Sequence, residues 1–333
     1  MILASPGQPR ADDPVGLMPT PRHVSETPPF AEGPVWCPGD GAMGGTIVCT
    51  SVSEGALFRI DPATGDGVRI ADTGGGANGA AACVDGGFLV TQNGGLDFAA
   101  IGMFDDPPPY RPAQPGLQRV APDGTVTYLT PYASRTSALG ASRRAAPAPD
   151  ACRSPNDLVI GSDGSVYFTD PPPWPLPTEA VGRIRAYLPD GTLDTLVDGL
   201  WYPNGIAIDP AGAIVFVENG LMGRPHHGLV RIGADGTLDR FVDQVGDGFC
   251  FDVDGRLYVA GGIHGVTVLE PDGIVVEVLE LPGRGVTTNC CFGGADMRTL
   301  YATDAVPGGV WAWEGLPTAG LPLHLWPGSP ASP

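Results

Sequence analysis

Apolar residues along this chain come in short runs, each closed by a turn signal, rather than at the spacing of a helical face. Phe88-Leu89-Val90, Val166-Tyr167-Phe168, Ile214-Val215-Phe216, Leu257-Tyr258-Val259 and Leu300-Tyr301-Ala302 are β-forming triplets. Each follows another short apolar run and a turn, at Asp85-Gly86, Asp163-Gly164, Ala211-Gly212, Asp254-Gly255 and Asp296, respectively. Each pair predicts a β-hairpin. Further turns at Pro122-Asp123-Gly124, Pro189-Asp190-Gly191, Ala234-Asp235-Gly236 and Pro271-Asp272-Gly273 predict a second hairpin in the same units.

The hairpins belong to a repeat. Six segments begin at Glu32, Asn78, Asn156, Asn204, Asp247 and Asn289, and the turn comes seven residues after each start. The starts are separated by 46, 78, 48, 43 and 42 residues. A period in the forties with four short strands per unit predicts a β-propeller blade, and the interval of 78 predicts one blade plus an insertion. The fold class expected is therefore all-β, a six-bladed propeller of four antiparallel strands per blade with a central metal site. Residues 1–22 are Pro-rich and read as a tail, 23–333 as one propeller, and 23–30 as the strand that completes the last blade. The insertion is expected within 98–153, either as a flap over the channel mouth or as a solvated surface loop.

Composition sharpens this picture. With 50 Gly and 37 Pro in 333 residues the chain is turn-rich, and 42% apolar residues supply a large core. Its formal charge of −19 repels phosphate backbones and anionic lipid, so neither nucleic acid nor a membrane surface is an expected partner. No signal-like segment opens the sequence, and the seven cysteines, an odd number without a C-x-x-C pair, read as buried thiols. The expected location is cytoplasmic.

In a propeller the first strand of each blade lines the channel, so the six starts are expected to converge at one end of it. All six offer oxygen and none is basic. Asn-Gly and Asp-Gly are also common turn dipeptides. Here the turn already lies seven residues further on, so the ring reads as the ligand set of one hard divalent cation. Calcium is preferred, with zinc, manganese and magnesium as alternatives.

Ala31-Glu32-Gly33-Pro34-Val35-Trp36, Ser154-Pro155-Asn156-Asp157, Val166-Tyr167-Phe168-Thr169-Asp170-Pro171, Pro203-Asn204-Gly205 and Phe292-Gly293-Gly294-Ala295-Asp296 together resemble the regucalcin (senescence marker protein)/gluconolactonase/LRE-like family of propeller lactonases. The resemblance implies metal ligation by Glu32, Asn156, Asn204 and Asp247, and hydrolysis of a lactone or related small-molecule ester. Where regucalcin carries an arginine two residues before its Asn-Asp pair, this chain has Ser154. A channel carboxylate must activate water, Asp247 first and Glu32 second. Asn156, Asn78, Asn289, Glu218 and His264 are candidate substrate contacts, although His264 also reads as an ordinary loop histidine and Asp157 as a residue that orients its loop. Adjacent His226 and His227 are not read as zinc ligands. A phosphotriesterase on the same metal ring and a non-catalytic calcium- or ligand-binding propeller are the competing readings, because propellers host many functions. The sequence leaves the oligomeric state open.

Overall fold

The computed structural model describes residues 19–39, 45–102, 104–130, 151–220, 224–225, 228–243, 246–263, 265–283 and 285–328. Six four-stranded antiparallel sheets form a propeller. The N-terminal strand β1 (Arg22–Ser25) stands apart from the first blade, which is β2 (Ala31–Pro38), β3 (Gly45–Ser51), β4 (Ala56–Ile60) and β5 (Gly67–Asp72). The second is β6 (Ala77–Ala82), β7 (Phe88–Gln92), β8 (Gly116–Val120) and β9 (Val126–Tyr128), with a short helix, α1 (Phe98–Ile101), between β7 and β8. The third is β10 (Leu158–Ile160), β11 (Val166–Asp170), β12 (Gly182–Tyr187) and β13 (Leu193–Leu200). The fourth is β14 (Pro203–Ile208), β15 (Ile214–Glu218), β16 (Gly228–Ile232) and β17 (Leu238–Val242). The fifth is β18 (Phe249–Phe251), β19 (Leu257–Ala260), β20 (Val266–Leu269) and β21 (Val275–Leu279). The last blade is β22 (Thr287–Gly293), β23 (Thr299–Asp304), β24 (Val310–Trp313) and, as its outermost strand, β1. Arg22 pairs with Ala312 and His23 with Trp311, so the two ends of the chain close the ring. Of the 98–153 stretch, residues 116–128 build the outer pair of blade two, and the extra chain flanks that pair instead of forming one block.

Each of the six apolar clusters lies between two neighbouring blades. Ile47 and Cys49 pack toward blade six, whereas Val48, between them, packs toward blade two. A middle strand buried on both faces must be apolar at successive positions, which is why the sequence shows runs in place of strict alternation. Trp313 is fully buried between blades five and six, and Trp36 stacks on Tyr301 at 5.6 Å between blades one and six.

The first strands are stitched to one another around the axis. Thr50 donates its hydroxyl to the carbonyl of Asn78, and Thr91 donates to that of Asn156, which also accepts the Gly79 N–H at 2.8 Å. Thr169 reaches Asn204 O at 2.7 Å, Gly205 N–H reaches Asp247 O at 3.1 Å, and Gly248 N–H reaches Thr288 O at 2.7 Å. Thr288 closes the circle on Ala31 O at 2.7 Å. This explains the glycine that follows most repeat starts. A Cβ at Gly79 would lie 2.9 Å from the Asn156 carbonyl, and one at Gly205 would run into the Asp247 carbonyl. Close approach between blades, rather than a turn conformation, demands glycine there.

The C-terminal segment was not anticipated as an element. Residues 316–326 run across the end of the ring that carries the β22–β23, β18–β19 and β6–β7 turns. Leu316 N–H bonds Arg298 O and Gly320 N–H bonds Met297 O on blade six. Val253 N–H bonds Ala319 O and Leu321 N–H bonds Phe251 O on blade five. Trp326 N–H bonds Ala82 O and Val84 N–H bonds Trp326 O on blade two. Blades five and two face each other across a six-membered ring, so residues 321–326 cross the channel at this end.

Candidate functional site

The six repeat starts gather at the opposite end. Glu32, Asn78, Asn204 and Asn289 lie near the beginnings of β2, β6, β14 and β22, while Asn156 and Asp247 each stand two residues before the first residue of β10 and β18. Asn289 on blade six donates its amide to both carboxylate oxygens of Asp157 on blade three, each at 3.0 Å. Those blades are opposite, so this contact spans the axis and shows that the side chains meet. The Asn204 side chain favours the charged form of the Asp247 carboxyl, and the Asn289 side chain that of Glu32.

Three carboxyls are crowded here in little water. Burial, then the negative charges of Asp247 and Asp157, hold Glu32 well above the usual carboxylate range. Burial, then Asp247, does the same to Asp157. Burial pushes Asp247 up to about 7 against the opposing effect of the Asn204 side chain. Burial and then Asp247 push the Tyr202 hydroxyl up to about 12, with Glu32 adding to the effect. Among the described residues no basic side chain offsets these three acids.

The carboxyls face orphaned acceptors. The Oδ1 atoms of Asn78, Asn156 and Asn204 are buried without a hydrogen-bond partner. A buried acceptor without a donor is costly, and three at one place beside uncompensated carboxyls form the electrostatic complement of a cation. The all-oxygen donor set suits a hard ion better than zinc. Among the described residues no three or more His, Cys, Asp or Glu side chains are grouped to hold a metal, so the amides are essential to the fit. Glu32, Asn156, Asn204 and Asp247 belong to this set, and Asn78 lies beside them with its own free oxygen.

The same crowding sets a pH dependence for the chelator-treated protein. A carboxyl whose folded-state value is raised binds its proton more tightly folded than unfolded. The unfolded chain therefore holds fewer protons between about pH 4 and pH 7, and stability falls as pH rises through that window. Thermal unfolding of chelated protein is expected to show a lower midpoint at pH 8 than at pH 5. Added calcium is expected to raise the midpoint more at pH 8. A midpoint that is higher at pH 8 without metal would contradict this account of the ring.

The loops entering the first strands are held by acids at the ends of the second strands. Asp170 accepts the N–H groups of Arg153 and Ser154, both at 2.8 Å, and pairs with Arg183 at 2.7 Å. Asp304 accepts those of Val286 and Val306, both at 2.9 Å. Glu218, read from sequence as a substrate contact, does the equivalent for blade four. One carboxylate oxygen accepts the Trp201 N–H at 3.0 Å, and the other, buried without a hydrogen-bond partner, lies 3.6 Å from Arg240. The signal for this role was present: an acid fourteen or fifteen residues after Asn156, Asn204 and Asn289. Asn219 bonds Gly246 O at 2.9 Å, beside Asp247. Tyr202 carried no sequence pattern that marked it. His264, His226 and His227 lie outside the described residues, as does the Ser134–Asp150 stretch of the insertion. All seven cysteines are free thiols.

Comparison with known proteins places this geometry in a lineage. The sequence matches the SMP-30/Gluconolactonase/LRE-like region over residues 30–306. It is similar to the gluconolactonase of Zymomonas mobilis subsp. mobilis, 32% identical over 163 residues, which cover 42% of this chain and 45% of that protein. Regucalcin of Bos taurus is 34% identical over 101 residues, covering 26% of this chain and 33% of that protein. The chain thus matches under half the length of these relatives. A gluconolactonase structure from Xanthomonas campestris superposes with a TM-score of 0.66 at 22% identity, covering 88% of this chain and 89% of that one. A structure of regucalcin from Agrobacterium tumefaciens, described as a calcium-binding protein, superposes at 0.68 and 21% identity, covering 92% and 97%. At such identities these two likenesses concern the fold. The family region takes in nearly the whole propeller and all six repeat starts: the chain belongs to the SMP-30/gluconolactonase/LRE-like family.

Proposed function

We propose that this protein is a lactonase-type hydrolase that opens a lactone or related cyclic ester at the channel ring, with one divalent cation, calcium, held by Glu32, Asn156, Asn204 and Asp247. The observation that carries this reading is the set of three partnerless buried amide oxygens beside carboxyls that no basic group offsets. Family membership supports the reaction class, and the name of the Zymomonas relative supports a lactone as substrate.

When bound, the cation supplies Lewis-acid polarisation of the ester carbonyl and favours the developing oxyanion. The protein's own residues do the rest. Asp247, a buried carboxylate of the ring, takes the proton of the attacking water. Glu32 is second in line for that role. Asn289, tied to Asp157, holds that carboxylate in place, and Asn78 and Asn156 orient the ester. The crossing C-terminal segment leaves the ring end of the channel as the route for substrate and product.

Stripping the protein with a chelator and following proton release over a lactone panel tests the proposal. Turnover is expected to fall at least about a hundredfold and to return with calcium ahead of magnesium, manganese or zinc. Turnover that survives stripping, activity on phosphotriesters alone, or tight calcium binding without hydrolysis on any panel would overturn it.

A further inference from the structure

Beside the ring, on the same end of the propeller, lies a depression of about 740 Å3 over blade one. Pro29, Phe30, Phe104, Pro107–Pro109, Ala305 and Pro307 line it together with Ser53, Glu54, Arg69, Asp106 and Arg111. It adjoins the site through the backbone. Phe30 is two residues before Glu32, and Pro307 lies in the loop that Asp304 anchors together with the approach to Asn289.

Phe30 is held at φ +44°, a left-handed conformation that a bulky side chain rarely adopts. Two contacts hold it. Val52 N–H bonds its carbonyl at 3.1 Å, and its ring packs against Phe98 at 5.1 Å and Phe104 at 6.1 Å. The extra chain between β7 and β8 is thereby docked on the loop that carries Glu32.

Apart from the Asp106 carboxylate, the polar groups of this lining are already engaged, Ser53 through the Pro29 carbonyl at 3.3 Å. Arg69 pairs with Glu54 at 2.9 Å and with Asp72 at 3.2 Å. Arg111 donates to Glu54 O at 2.7 Å and lies 3.4 Å from Asp72. Proline offers no N–H and phenylalanine no polar atom. The apolar part of these walls offers the hydroxyls of a polyhydroxylated ring little, but it can remove a hydrocarbon from water. The volume is within the range of small-molecule sites.

We propose that this depression is a subsite for an apolar substituent of the substrate, so that the preferred class is lactones bearing an alkyl or aryl side chain rather than bare sugar lactones. The inference rests on the lactonase reading of the ring, and its test separates the two. In a series of γ-lactones of increasing alkyl chain, kcat/KM is expected to rise roughly fourfold per methylene until the depression is full. In Phe104→Ala the rise is expected to fall to about twofold per methylene. A flat series, a sugar lactone as the best substrate, or an unchanged slope in a folded Phe104→Ala protein would overturn the proposal. Calorimetry of the wild-type protein with uncleavable γ-lactams of the same chain lengths gives a second readout. Affinity that grows with chain length supports the subsite even if no lactone is hydrolysed, and affinity independent of chain length overturns it whatever the ring catalyses.

Discussion

Asp247→Asn is expected to lower lactone turnover by about a thousandfold or more while the metal-free protein becomes more stable above pH 7. The two effects have one source. Asp247 is buried with Glu32 and Asp157, and its charge is a cause of the raised values of both. An amide keeps the size and an oxygen, so the contact with Asn204 can persist, but it cannot take a proton from water. It also removes one of three like charges that are ionised together at high pH. General-base removal commonly costs a hundredfold to ten-thousandfold, and loss of a charged metal ligand adds to that. Thermal unfolding in chelator at pH 8 and initial rates in saturating calcium read the two effects separately. Near wild-type turnover in metal-loaded Asp247→Asn would remove Asp247 from the chemistry. A fall in both turnover and metal-free stability would mean that the carboxylate is structural, and the crowding account would fail with it.

The ring was legible because a propeller repeats its geometry. One position recurring as Glu, Asn or Asp, always seven residues before a turn, picked out six side chains far apart in sequence, among which Glu32, Asp247, Asn204 and Asn289 influence one another in space. The glycine after it was harder to interpret. Asn-Gly looks like a turn, whereas Gly79 and Gly205 sit in strands where the next blade's carbonyl leaves no room for a Cβ. That reason lies between blades and has no local pattern. The same holds for Thr50, Thr91 and Thr169, ordinary β-formers in sequence that stitch one blade to the next in space. Glu218 carries a second role that its position alone did not reveal. An acid at the active end of a strand invited a role with substrate, and one of its two oxygens also accepts the Trp201 N–H. Phe30 gave no sign of its left-handed backbone, because what holds it there is the distant Phe98 and Phe104.

The least legible element yields the largest effect on stability. Residues 316–326 belong to no blade repeat, and their backbone hydrogen bonds are shared among blades six, five and two. Their anchor is Trp326, buried against Cys83, Leu89, Leu158 and Phe168 between blades two and three. Trp326→Ala is expected to cost about 3–5 kcal/mol, the range for truncating a large aromatic in a packed core. Leu323, 56% exposed on the same segment, is the control, and its change to alanine should stay within about 0.5 kcal/mol. Urea unfolding of the two variants decides the matter. Equal midpoints would show that the crossing segment rests on the ring without holding it. A large loss confined to Trp326→Ala would show that the segment clamps opposing blades. That is the mechanical requirement for a channel whose far end must keep Glu32, Asp157, Asp247 and their amide partners in register.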